Sequence, residues 1–227
     1  MRLRFALAAL AALGLFAAPV TSEDEDPVKE ALKPFNDFVG KWKGSGENKT
    51  ARTEWKESAE WGWLLKGAKQ PTLKVTVTGG KQFTEGMLTY LPDKKKYQLT
   101  SKEGGQDVVY LGEIKAKRLT LTREDAKTKD RYTIEMSTNN EGARFVYTVA
   151  RQAGGAGLAR KLAEVSYSKE GVSLAGGKKA ECIVTGGLGT MAVSYNGKTY
   201  YVCCSGCRDE FNANPKKYVD EYEKSKK

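Results

Sequence analysis

Between residues 41 and 150 apolar and polar positions alternate in short runs. The runs fall at 42–46, 53–59, 61–65, 73–78, 86–90, 97–100, 108–111, 119–122, 131–136 and 144–149, and turn residues (Gly, Asp, Lys) separate them. Leu73, Val75 and Val77, or Phe145, Tyr147 and Val149, recur at every second position, as in a strand with one buried face. Thr, Tyr and Val are enriched in these runs, which suits a pleated surface. Pro92-Asp93 and residues 139–142 read as hairpin turns. Nine or ten such strands in an open sheet would leave two unpaired edges, so the pattern predicts closure into a barrel.

The flanks change period. Val28, Leu32, Phe35 and Phe38 have helical spacing and predict a short helix or turn entering the first strand. Before them the chain is acidic, and residues 23–34 are assigned to a flexible leader. The glycines of 154–157 interrupt the last strands, and 158–162 reads as a helical turn. Gly176-Gly177-Lys178-Lys179 reads as a linker, dividing a barrel over 35–175 from a smaller unit over 180–223. In that unit, runs at 192–195 and 198–202 flank Asn196-Gly197, a strong short hairpin signal. Phe211, Tyr218, Val219 and Tyr222 then give a helix an apolar face, and Asn214-Pro215 breaks or kinks it.

The N-terminus carries Arg2 and Arg4, an Ala/Leu/Phe run to Val20 and small residues to Ser22. This is the layout of a cleaved signal peptide over 1–22, and it predicts a secreted or periplasmic protein with no membrane span after cleavage. Its removal takes two arginines and no acid, lowering the net charge from +10 to +8. The lysines are spread along the chain and alternate with acids, the pattern of a solvated basic surface. Specific nucleic-acid binding is not expected.

Chemistry concentrates at the other end. The chain has four cysteines and no histidine, and Cys182, Cys203, Cys204 and Cys207 all fall within its last fifty residues. Soft ligands from two chain positions converge there, as in small metal-binding modules. Export opens a second chemistry, because an oxidising compartment favours disulfides, with Cys182 pairing with Cys203 or Cys207 to staple the unit. A thiol relay through Cys204-Ser205-Gly206-Cys207 is a third, without a thioredoxin-like βαβ context around it. No nucleophile elbow or His base is present elsewhere, and an enzyme is not expected.

Two resemblances extend this reading. Residues 35–44, including Val39-Gly40-Lys41-Trp42-Lys43-Gly44, resemble the opening strand of bacterial lipocalin-like barrels, which implies that Trp42 plugs the barrel floor. Such a barrel can enclose a small apolar ligand, with Trp55, Trp63, Tyr90 and Tyr110 as candidate lining or equally as packed core. Cys182-Ile183-Val184-Thr185-Gly186, the run from Tyr195 to Cys207, and Phe211 with Asn214-Pro215-Lys216-Lys217-Tyr218 resemble a YHS domain or its relative the TRASH domain. That implies a treble-clef-like module associated with metal sensing or trafficking. Cys182, Cys203 and Cys207 become ligand candidates, and Cys204 falls at a position the family fills variably. Many members place a second cysteine where this chain has Thr185-Gly186. The fourth ligand is then Cys204, or the site stays open.

The expected architecture is mainly β: an antiparallel lipocalin-like β-barrel followed by a small ββα treble-clef-like cysteine module. The expected function is binding of a thiophilic ion, zinc or copper, for sensing, buffering or trafficking with a metal-handling partner. The alternative is a barrel carrier of a small apolar ligand, capped by a disulfide-stapled module.

Overall fold

The computed structural model describes residues 26–65, 69–139, 142–171 and 180–225. The signal-peptide segment, part of the turn at 139–142 and the linker at 176–179 lie outside the described residues. Helix α1 spans Pro27–Leu32. The Asp26 side chain caps it by accepting from the Val28 amide at 2.9 Å, and Pro27 fits the first turn, whose N–H groups need no helical partner. A 3-10 segment, Lys33–Phe38, follows. A flexible leader to residue 34 is therefore corrected. Val28, Leu32, Phe35 and Phe38 are buried, and apolar side chains committed to a core fix their backbone.

The barrel has ten antiparallel strands: β1 (Gly40–Asn48), β2 (Thr53–Leu64), β3 (Thr72–Thr78), β4 (Glu85–Leu91), β5 (Lys96–Glu103), β6 (Gln106–Lys115), β7 (Arg118–Glu124), β8 (Arg131–Asn139), β9 (Arg144–Gln152) and β10 (Arg160–Lys169). Each pairs with its neighbour in sequence, and β1 pairs with β10 from Trp42↔Lys169 to Glu47↔Glu164, closing the sheet. The two runs at 53–59 and 61–65 form one strand, because the inward alternation Glu57, Ala59, Trp61, Trp63 never changes phase. The helical turn expected at 158–162 is corrected to the start of β10. A bulge between Lys161 and Ala163 blurs the period there, and pairing with β9 decides the conformation.

The chain enters at one end, which α1 and the 3-10 segment close. Phe38 packs on Phe145 at 5.0 Å between ring centroids, and Phe145 packs on Trp42 at 5.6 Å. Trp42 is 1% exposed and its indole N–H donates to the Phe38 carbonyl at 2.7 Å, which satisfies its polar edge as a floor plug. Tyr97 donates to the Ala31 carbonyl at 2.7 Å and ties α1 to β5. Toward the other end the interior turns polar. Glu57 is buried and accepts from Tyr147 at 3.2 Å, from Tyr167, and from the Trp55 indole. The Trp55 ring lies across Gly46, where any Cβ would stand 2.1 Å from it. Among the described residues no helix is long and apolar enough to cross a membrane.

Candidate metal centre

Hairpin β11 (Met191–Tyr195) and β12 (Lys198–Val202) turns at Asn196 and Gly197, whose φ values of 48° and 74° supply the left-handed pair a tight hairpin needs. Its second strand ends directly at Cys203 and Cys204. The preceding segment folds back beside it. Cys182 bridges Tyr201 in parallel, and the Ile183 amide donates to the Tyr201 carbonyl at 2.9 Å. Gly186 N donates to the Cys182 carbonyl at 2.8 Å, closing a tight loop around residues 182–186. Helix α2 (Ser205–Ala213) starts at once, with Cys204 as its N-cap and Cys207 in its first turn. Asn214 separates it from α3 (Pro215–Ser225), because Pro215 lacks the N–H that would continue α2. Phe211, Tyr218 and Val219 are buried beneath the two helices, and Tyr218 donates to Glu210 at 3.0 Å.

These elements bring together three of the four candidate ligands. The Sγ atoms of Cys182, Cys203 and Cys207 all lie within 4.8 Å of one another, and Cys203 and Cys207 are 3.5 Å apart. Sulfurs sharing one ion at about 2.3 Å would stand roughly 3.8 Å apart, so the donor set fits a thiophilic metal. The three residues are 1%, 2% and 0% exposed. Cys204 is also buried and lies outside that mutual set, with its sulfur at the barrel wall, 3.6 Å from where a Cβ on Gly62 of β2 would stand, while it still hydrogen-bonds with Cys203 and Cys207.

The sulfurs share protons. The Cys182 thiol is held well below its ordinary value, first by hydrogen bonds from Cys203 and Cys207 and also by Thr185 and the Val184 amide. Cys204 is lowered as well, first by Cys203, then by Cys207. Cys203 and Cys207 are pushed up, each chiefly because it donates to Cys182. The N-terminus of α2, with unpaired amides and the positive end of its dipole, favours negative charge on this cluster.

The barrel supplies one wall. A Cβ on Gly206 would stand 2.2 Å from the Trp63 carbonyl oxygen, so α2 meets β2 backbone to backbone. The Asn36 side chain donates to the Thr185 carbonyl at 3.1 Å. Lys169, 5% exposed, donates to the Asp37 carbonyl at 3.0 Å and lies 5.0 Å above the Trp42 ring. Asn36 and Gly206 were not anticipated. The Asn36 contact joins residues 149 apart, and no local pattern marks it.

The four candidate pocket residues do not share one lining. Trp55 bonds Glu57 and Tyr110 donates to Glu103 at 2.9 Å, both toward the end of the barrel away from α1. Trp63 is buried beside α2, and Tyr90 packs on Tyr97 at 5.1 Å, both near the α1 end. All four face inward among other core side chains.

Residues 190–222 match the YHS domain family. The match takes in the hairpin, Cys203, Cys204, Cys207 and most of the two helices, while Cys182 and Thr185 precede it. The N-terminal part, a closed ten-stranded antiparallel barrel, is consistent with a lipocalin-like fold. No curated protein matches the chain.

Proposed function

We propose that this is an exported metal-binding protein that takes one zinc or copper ion through Cys182, Cys203 and Cys207. The observation that carries the reading is the convergence of three buried sulfurs within 4.8 Å, on a module that matches the YHS domain. Thiolates select soft or borderline ions, and a chain without histidine has no nitrogen side chain of that kind to offer instead. The protein's own groups prepare the site: the sulfurs lie at the N-terminus of α2, the positive end of its dipole, and hydrogen bonds from Cys203, Cys207, Thr185 and the Val184 amide hold Cys182 toward the thiolate form. An ion there would supply the cross-link between the 182–186 loop, the hairpin and α2. The reading assigns buffering, sensing or hand-over to a metal-handling partner, and no catalysis. Export rests on the basic, apolar and small-residue layout of residues 1–22.

Protein purified from the exported fraction under reducing conditions is expected to carry one ion per chain by elemental analysis. Replacing Cys182, Cys203 and Cys207 together by serine is expected to abolish it. A native protein with a stable disulfide among these cysteines and no ion would overturn the proposal. Recovery of the full-length precursor in the cytoplasm would overturn the export.

A further inference from the structure

We infer that Cys204 opens a second copper(I) site beside the first, with Cys203 and Cys207 shared by the two ions and Cys182 and Cys204 at the outer ends. The inference rests on the metal-binding reading above and adds to it an ion taken up only after the first. It stands on the way the four sulfurs connect. Cys203 and Cys207 are 3.5 Å apart, and each hydrogen-bonds with both Cys182 and Cys204. The Cys204 sulfur meets this central pair, yet it falls outside the set of sulfurs within 4.8 Å of one another. Cys182 is therefore the sulfur it stands away from, and two triplets share the Cys203–Cys207 edge.

Local backbone builds the second triplet. Cys204 is the N-cap of α2 and Cys207 its third residue, the two positions whose side chains meet in a capping box, and Cys203 immediately precedes the cap. The wall behind Cys204 is close, because a Cβ on Gly62 or Gly206 would stand only 3.6 or 3.8 Å from its sulfur. Thiolates select soft ions, and one thiolate sulfur has lone pairs enough to bind two of them. Four sulfurs with a shared edge thus give each of two copper(I) ions three soft ligands. They cannot serve two zinc ions, which take four ligands each and would need water in a site whose cysteines are at most 2% exposed. Each copper(I) ion also offsets one thiolate charge, which favours a second ion where so little water reaches. Sulfurs on one ion at about 2.3 Å stand roughly 3.8 Å apart, so the shared pair needs to part by only about 0.3 Å.

The test uses the full reduced chain without oxygen, titrated with copper(I) against a chromophoric chelator and separately with zinc(II), and native mass spectrometry counts the ions. Wild type is expected to take two copper(I) ions per monomeric chain, the second more weakly than the first, and one zinc. Cys204→Ser is expected to lose the second copper(I) and keep the first. Its zinc affinity should fall by less than about a hundredfold, because Cys204 lies outside the first ion's ligands. Cys182→Ser is expected to keep one copper(I), held by Cys203, Cys204 and Cys207.

Saturation of wild type at one copper(I), or a second ion found only in copper-bridged dimers, would overturn the inference. So would a Cys204→Ser chain that still takes two copper(I) ions. A zinc affinity that drops by more than about a hundredfold in that variant would overturn it too, by making Cys204 a fourth ligand of a single ion. Where Cys204→Ser fails to fold, Cys182→Ser decides, and a Cys182→Ser chain that binds no copper(I) would overturn the inference. The metal-binding reading fails separately, and takes this inference with it, if wild type binds no ion better than the triple serine variant.

Discussion

Alanine at position 206 should act against its own helix propensity. Gly206 is the second residue of α2, and in a free helix Gly→Ala is favourable by about 1 kcal/mol. Here the added Cβ would meet the Trp63 carbonyl oxygen at 2.2 Å and its carbon at 3.4 Å. Ordinary carbon–oxygen contacts are about 3.3–3.6 Å, so the start of α2 would have to withdraw by roughly 1 Å. The obstacle is strand backbone locked to β3 at Trp63↔Leu73, and it cannot turn aside as a side chain would. Overpacking costs about 1–3 kcal/mol, and a shift of this size belongs at the upper end. Net of propensity, docking of α2 should weaken by about 2 kcal/mol, roughly thirtyfold in the opening equilibrium. The assay is the labelling rate of the buried cysteines in metal-free reduced protein, which follows local opening. Gly206→Ala should label about thirtyfold faster, with the barrel's own unfolding transition unchanged. Gly62→Ala is the control, since its Cβ would meet the Cys204 sulfur at an ordinary 3.6 Å. If Gly206→Ala labels as slowly as wild type, the backbone contact does not exist as described.

Three further perturbations address other parts of the molecule. Glu57→Gln turns an amide N–H₂ toward either the Trp55 indole or the two tyrosine hydroxyls, and should cost about 1–3 kcal/mol in urea unfolding. Burial, then the Glu57 charge, pushes the Tyr147 hydroxyl up; burial first, then Tyr147 and Glu57, does the same for Tyr167. Their folded values lie above the ordinary 10.0, so the stabilisation is complete below pH 10 and is lost as pH rises beyond it. The unfolding free energy from urea titration should fall between pH 10 and 11.5, by up to about 1.4 kcal/mol per pH unit for each tyrosine, and should hold its wild-type slope if both are replaced by phenylalanine only when this reasoning is wrong. Asn36→Ala removes the donor to the Thr185 carbonyl and should weaken copper(I) about tenfold, with little effect on the barrel. Unchanged affinity there would mean that the loop positions Thr185 unaided.

The sequence pattern revealed most of the barrel because one face of each strand is buried and the other solvated. That alternation survives in β3, β7 and β9, where the buried inward positions Leu73, Val75 and Val77, Leu119 and Leu121, and Phe145, Tyr147 and Val149 are all apolar or aromatic. It failed where other constraints decide. In β10 the inward run begins only after the bulge at Lys161/Ala163, so its first residues carry no period. Residues 27–32 read both as the end of an acidic leader and, through Val28 and Leu32, as the start of a helical stripe, because so short a helix shows only two of its apolar positions. Asn196-Gly197 marked the hairpin, and the apolar positions Phe211, Tyr218, Val219 and Tyr222 marked the helical part with its break at Asn214-Pro215, while Cys207 proved to lie inside the first turn of α2. The orientation of Cys204 was not legible. Vicinal residues point different ways, and which one faces the cluster depends on a strand 140 positions earlier.

That dependence says what the barrel contributes to the site. A two-stranded hairpin is marginal alone, and a unit the size of residues 180–225 has little core of its own. Its cysteines are buried because α2 rests on Trp63, Cys204 fills the space over Gly62, and Asn36 holds the Thr185 loop. An ion binding only the docked module stabilises docking by about 2.7 kcal/mol at a hundred times its dissociation constant. This exceeds the cost of about 2 kcal/mol assigned to Gly206→Ala from overpacking. Copper(I) at a hundred times the variant's own dissociation constant should therefore return its labelling of Cys204 to the slow rate of metal-free wild type. Labelling that stays fast in the loaded variant would mean that the ion binds an undocked module, and that the barrel wall is not part of the site.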